Sequence, residues 1–358
     1  MNQISPKSFE RLEAIKRLTE IPSPTGHTQA IIQYIAQDLA SRGIAYQLTA
    51  KGGLMVSLTG QDDQRHRFVT AHVDTLGAMV RAIKADGRLK LDLIGGFTYH
   101  AIEGEYCTIH SSRLDKTFTG TILMHQTSVH VYADARTAER NQTNIEVRLD
   151  EHVETAEDTL ALGIQVGDFI SFDPRTQITP NGYIKSRHLD DKVSAALMLE
   201  LIHKIHSQEM TLAHTTHFYF SNNEEIGYGA NAGIPEQVEE YLAVDMGAMG
   251  DDQQTDEYSV SICVKDGSGP YHLGMRNYLV DLCEIHQIDY RLDIYPYYAS
   301  DASGALRAGY DVRHGLFGAG IEASHAYERT HADSVDATYH LLKYYLASPM
   351  LTSETEEE

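Results

Sequence analysis

The sequence has no tryptophan, only three cysteines, and no run of 18 apolar residues among its 358 positions. Without such a run, no membrane-spanning helix is expected. Cys107, Cys263 and Cys283 are odd in number, far apart, and form no CxxC pair. They point to reduced thiols in a cytoplasmic protein and offer no pattern for a cysteine-based zinc site. Positive charge is scarce. Lys and Arg total 29 against 51 Asp and Glu, a formal net charge of −22. The resulting field repels nucleic acid and anionic membranes, so neither is expected as a partner. The segment MNQISPKSFERLEAIKRLTE reads as a charged amphipathic helix, without the apolar core or cleavage site of a signal peptide. No internal repeat is present. The acidity is spread along the chain except in SETEEE, which is expected to be a solvated end.

What is present is enough for a sizeable core: 42% hydrophobic residues, including 21 tyrosines. The first 75 residues alternate helix and strand. Phe9, Leu12, Ile15 and Leu18 recur at helical spacing, and a second helix is expected around Ile31 to Leu39. Three strands follow in AYQLTA, LMVSLT and RFVTAHV. From Gly77 to Pro174 the texture changes to short strand-like runs separated by Gly, Asp and Asn: CTIHS, TGTILMH, HVYAD, NIEVRLD and DFISFD. A short helix in AEDTLALGI interrupts them. After Asn181 the alternation returns, with helices after Asp190, from Tyr271 to Ile285 and in SVDATYHLLKYYL. Strands are expected in HFYFSN, YLAVDM, SVSICV, YRLDIYP and HGLFGAG. The expected fold is therefore α/β, interrupted by a small all-β, barrel-like domain over 77–180. Residues 1–76 and 181–358 then meet to build one domain and one site.

Five clusters carry potential chemistry. His72 and Asp74 lie in VTAHVDTLG at the end of an apolar strand. Residues two apart on a strand share a side, and a metal-binding His needs a partner to orient its ring. Asp190 and Asp191, in SRHLDDKVSAA, enter an amphipathic helix, where capping is the plain alternative. Glu224 and Glu225 follow an apolar strand in HFYFSNNEEIGYGAN. Adjacent buried carboxylates repel unless a cation is near or one is protonated. One could bind metal while the other activates water. Asp245 ends the strand in YLAVDMGAMG, and ASHAYERTHADS supplies His325 and His331. Each signal alone has an ordinary explanation in capping, packing or exposure. Together they put nitrogen and oxygen ligands at strand ends, where open α/β sheets gather reactive groups.

The order HxD, LDD, EE, D, H resembles the dinuclear aminopeptidases, and most closely the M42 group of glutamyl, tetrahedral and endoglucanase-like peptidases. AHVDTLG, GIQVGDFISFD, SRHLDDKVSAA, NNEEIGYGA, AVDMG and SDASGALRAG carry the resemblance across nearly the whole chain. It implies a three-layer α/β/α catalytic domain with a β-barrel insertion and two divalent metal ions, zinc first, with cobalt or manganese as alternatives. His72 and Asp245 would bind one ion, Glu225 and a late histidine the other, and Asp190 would bridge them. Glu224 would be the general base, and Asp74 would orient His72. His325 is preferred to His331 because it closely follows the GLFGAGI strand and brings Glu328 near an acidic position of the family motif. Thr75, Lys192 and Ser194 depart from the family pattern, and no His-Ser/Thr-Pro context surrounds the last histidine; a divergent subgroup is implied.

The expected activity is removal of N-terminal residues from peptides. The alternatives are a deacylase or amidohydrolase of the same fold acting on a small non-peptide or modified dipeptide amide, a non-catalytic relative, or a mononuclear binding protein. A homo-oligomer is expected by analogy.

Overall fold

A computed structural model describes residues 4–351. The acidic SETEEE stretch lies outside the described residues. The first helix spans Pro6–Thr19, with Ser5 as its N-cap accepting from the Ser8 N–H. Leu12, Ile15 and Leu18 are buried, while Phe9, on the same periodicity, stays about half exposed.

The larger unit is built on a ten-stranded sheet. At its centre four strands run parallel in the order His214–Ser221, Asp62–His72, Val238–Val244 and Arg313–Ile321. Leu54–Leu58 and Val260–Asp266 flank them antiparallel. Side chains alternate between the two faces, as strand geometry requires. Val69, Phe220, Leu242 and Phe317 join one apolar core with helices Pro6–Thr19, Gln29–Ser41, Leu189–His206, Leu273–His286 and Ala332–Ala347. Phe68, Tyr219, Tyr241 and Leu316 point the other way, onto the short helix Asp301–Arg307. The sheet is therefore covered on both faces, as a parallel sheet must be.

The insertion is a closed six-stranded barrel. In ring order its strands are Gly77–Ile83, Leu89–Ile94, Ile145–Leu149, Lys116–Met124, Tyr106–Ser111 and Phe169–Phe172. It has its own apolar core, including Val80, Leu91, Ile109, Ile122, Val147 and Ile170. Closure leaves no unpaired edge to cover. One expected strand is absent: HVYAD forms turns. The Val131 and Tyr132 N–H groups both donate to the Ser128 carbonyl, and Val129 and Val131 are exposed. Local bonds here replace a ladder partner, and the β-branched composition finds no surface to pack on. All three cysteines are free and buried, and no described helix is long and apolar enough to cross a membrane.

The sheet also holds a fully buried ion pair. Arg67 donates to Glu240 at 2.9 Å and to the carbonyls of Ser348 and Pro349, while Glu240 accepts from Tyr345 and the Leu351 N–H. This pair tethers the last described residues to the sheet. Removing one partner strands the other charge in an apolar setting. Glu240→Gln should destabilise the fold by about 3 kcal/mol, read as a lower unfolding midpoint in thermal or urea denaturation.

Candidate active site

The carboxyl ends of the four parallel strands converge on one cluster. Asp62–His72 delivers His72, Val238–Val244 leads into Asp245, His214–Ser221 leads through a turn into Glu224 and Glu225, and Arg313–Ile321 leads to the loop bearing His325. Asp190 arrives from the start of helix Leu189–His206. Sequence-distant residues meet here because parallel strands end on the same side of the sheet.

Asp190 lies at the middle. Its Oδ1 is 3.0 Å from His72 Nε2 and its Oδ2 is 3.3 Å from His325 Nε2. His72 Nε2 is also 3.9 Å from both Glu224 and Asp245, and His325 Nε2 is 3.5 Å from Glu225. Two groups could each hold a cation: His72, Glu224 and Asp245, and His72, Asp190 and Glu225. Glu224 thus lies within ligand range of His72 and Asp245. His325 is in neither compact group and approaches Asp190 and Glu225 from the solvent side.

The capping explanation for the Asp190–Asp191 pair does not hold. Both residues have the non-helical backbone angles a cap would have, with ψ values of 106° and 34°, but among the described residues neither carboxylate accepts from an N–H of this helix: Asp190 faces His72 and His325, and Asp191 the His72 N–H. The helix start is instead bonded by Glu328, whose Oε2 accepts from the N–H groups of Leu189 and Asp190. Its Oε1 accepts from the His325 N–H. One buried carboxylate therefore sets both Asp190 and His325. Asp191 accepts from the His72 N–H through Oδ2, and its other oxygen, also buried, has no partner.

Asp74 differs from its expected role in which atoms it uses. His72 Nδ1 bonds the Asp74 backbone carbonyl at 2.9 Å, while the Asp74 carboxylate lies 3.6 Å from that nitrogen. The carboxylate accepts from the Thr25 hydroxyl and from the backbone N–H groups of Glu224 and Glu225. It thus anchors the glutamate pair, while its main chain orients the imidazole.

His325 has φ +63°. A non-glycine residue there costs about 1 kcal/mol or more, and such positions cluster at functional sites. Its Nδ1 bonds the Gly96 carbonyl at 2.8 Å. Gly95 and Gly96 follow a barrel strand, so the insertion reaches over the site. Gly95 has φ +90°, and a Cβ there would lie 2.4 Å from the Leu76 side chain. His331 is engaged elsewhere: it accepts from the Asp333 N–H as a helix cap and bonds the Asn181 carbonyl.

The electrostatics describe a cage short of positive charge. Burial, partly opposed by His72, then Asp245, Asp301 and Glu225 push the Glu224 carboxyl well above its ordinary value. Burial and Asp190 raise Glu225 to about 8 and Asp245 to about 7, against the pull of the histidines. Asp190 moves the other way. Burial would raise it, but the bonds to His325 and His72 hold it well below. For His72, burial opposes charge, yet Asp190, Asp74, Asp245 and Glu224 outweigh it and hold the imidazole well above its usual range. Carboxylates this close repel one another unless a cation is near or some of them are protonated. Their donor set, imidazole nitrogen with carboxylate oxygen, suits divalent zinc, cobalt or manganese.

The cluster floors a cavity of about 300 Å³, also lined by Tyr297, Tyr298 and Arg307. Burial and then Asp245, Asp190 and Glu224 push the Tyr298 phenol well above its ordinary value, so it stays protonated. A larger groove of about 420 Å³ among the outer helices holds Arg11, Glu200 and Lys204. Those charges pair with one another and bring no ligand set together. Sequence reasoning assigned no role to Tyr298, Arg307 or Asp301. SDASGALRAG stood out as a segment, but no periodicity distinguishes the Tyr297–Tyr298 pair. Asp301 accepts from the Ala230 N–H, and Lys51 donates to the carbonyls of Tyr228 and Gly229 at 2.6 Å. Together they clamp the loop that follows the glutamates.

A sheet with histidine and carboxylates at its parallel strand ends, with a barrel insertion reaching over them, has the layout of an α/β metallopeptidase. The chain belongs to the M42 glutamyl aminopeptidase family, whose profile matches residues 52–341. It is 63% identical over 340 residues to the Bacillus subtilis (strain 168) protein named "Putative aminopeptidase YhfE", covering 95% of this chain and 98% of that one. A TET aminopeptidase from the marine sediment archaeon Thaumarchaeota archaeon SCGC AB-539-E09 superposes with a TM-score of 0.86 at 16% identity, over 97% and 99% of the two chains. The Pyrococcus horikoshii TET1 peptidase, which can assemble into a tetrahedron or a large octahedral shell, superposes at 0.82 and 20% identity, over 95% and 100%. The chain is an aminopeptidase of this family.

Proposed function

We propose that the protein is a cytoplasmic, dinuclear metal-dependent aminopeptidase that releases N-terminal residues from peptides. The observation that carries this reading is Asp190, whose two oxygens face two histidines, one at a strand end and one on a loop. His72 and Asp245 would hold one ion, Glu225 and His325 the other, with Asp190 shared between them. When bound, the ions supply Lewis acidity toward the scissile carbonyl and lower the pKa of water. The chain itself does the proton handling. Glu224, half-buried beside His72, takes the proton from the attacking water and returns it to the leaving amine. Asp74 keeps Glu224 in place through the backbone N–H it accepts. The cavity favours a short substrate, so a small or modified dipeptide amide is the second reading. The resemblance to assembling TET peptidases supports a homo-oligomer.

The test is a panel of aminoacyl anilides, dipeptides and N-acyl amino acids, assayed on protein loaded with zinc, cobalt or manganese. Hydrolysis should require a free amino terminus and stop on chelation. The loaded protein should also unfold later than the chelated one. At 100-fold excess over Kd, each independent ion contributes about 2.7 kcal/mol to the folded state. Hydrolysis confined to N-acyl substrates would favour a deacylase, and activity unchanged by chelator would remove the metal reading.

A further inference from the structure

Tyr298 is a cavity-lining side chain that the fold holds firmly and leaves without a partner. Its hydroxyl oxygen is buried and has no partner at hydrogen-bond geometry, although the phenol lies close enough to the Asp245 carboxylate to favour its charged form. It shares the cavity with Glu224, Asp245 and Asp190. Its ring packs on Tyr295, with centroids 5.4 Å apart. Its carbonyl accepts from the Gly267 N–H at 2.9 Å. Two residues on, Ser300 caps the helix Asp301–Arg307 and bonds the Tyr271 hydroxyl. The side chain is therefore preorganised on both sides of its position in the chain.

A buried hydroxyl without a partner costs about 1–3 kcal/mol. The fold accepts that cost at a position facing the reacting centre, so the partner comes from what enters the cavity. The protein's own acceptors there are carboxylates that the proposed ligand set commits to cations. The substrate brings one acceptor whose charge grows during reaction, the oxygen of the scissile carbonyl. A protonated phenol can donate to it but cannot compete as a ligand to the ions in that state.

We propose that Tyr298 is a catalytic hydrogen-bond donor to the oxyanion formed at the scissile carbonyl. This rests on the amide-hydrolysis reading above. As the water oxygen bonds to the carbonyl carbon, Glu224 takes the water proton and the carbonyl π pair moves onto oxygen. The Tyr298 O–H donates to that oxygen and keeps its own proton. On collapse the π pair returns, the C–N bond breaks, and the nitrogen receives the proton from Glu224.

The test is Tyr298→Phe in the full, metal-loaded chain. It removes an oxygen that has no partner at hydrogen-bond geometry, so the fold should be unchanged and the melting temperature equal to the parent's or higher. Loss of one preorganised donor to an oxyanion lowers kcat by roughly 10²–10³-fold. KM and metal content should stay close to those of the parent. Affinity for a phosphinic dipeptide analogue, whose tetrahedral P–O⁻ mimics the oxyanion, should fall in step with kcat/KM in calorimetry. A kcat close to the parent's overturns the inference, as does a rise in KM alone. Loss of metal in proportion to activity also overturns it, and makes Tyr298 a support for Asp245 instead. If the parent itself hydrolyses no amide, the functional reading falls and takes this one with it. An active parent with an equally active variant removes only the role of Tyr298.

Discussion

Glu224→Gln should lower turnover by about 10²–10⁴-fold, the usual contribution of a general acid–base, while leaving the metal content nearly intact. The substitution is isosteric. It keeps the backbone bond to Asp74 that fixes the residue, and it removes only the ability to take a proton. Burial and the neighbouring acids push this carboxyl well above its ordinary value, so a neutral amide is tolerated without refolding of the site. Steady-state kinetics and elemental analysis on the same sample check it. Glu224 also lies in the group with His72 and Asp245. If the variant instead loses one ion in proportion to activity, Glu224 is a ligand and the base must be sought elsewhere. Retention of most activity would remove it from both roles.

Asp190→Ala should lose both ions and all measurable turnover. Removing an outer-shell partner typically costs 10–100-fold in metal affinity, so a ligand shared by two ions should cost more than about 100-fold for each. His325→Ala, which leaves Asp190 in place, should lose one. The difference between the two variants, read as ions per chain by elemental analysis, separates a shared carboxylate from an ordinary ligand. If Asp190→Ala retains one ion at parental affinity, the dinuclear reading is wrong. Circular dichroism guards against a trivial cause. Asp190 opens a helix whose first N–H groups are already bonded by Glu328, so the helix should persist without it.

These variants test residues that differ in how visible they were before folding. His72, Asp245 and the glutamate pair stand at the ends of apolar strands, and the continuous apolar runs of strands buried on both faces make them readable. The helix after Asp190 was readable from apolar residues at helical spacing: Val193, Leu197 and Leu201 recur every four residues, and all three are buried. What could not be read was the direction of each polar atom. Asp190 and Asp191 have the composition of a helix cap. They cap nothing, because Glu328, 138 residues from Asp190, takes that place. HVYAD has strand composition but forms turns, because neighbouring backbone groups satisfied it first.

The amino-acid sequence by itself determined the alternation of helix and strand, the β-rich interruption, and the family to which the chain belongs. These follow from side-chain periodicity and from the order of short motifs, both properties of neighbours along the chain. Only the tertiary structure decided that His325 rather than His331 faces the cluster. It alone showed that Asp74 holds the glutamates by its carboxylate and His72 by its carbonyl, and that Tyr298 is left unpaired over the same cavity. Those outcomes depend on which strand lies beside which and on where a barrel loop crosses. No local pattern encodes contacts between residues more than a hundred positions apart.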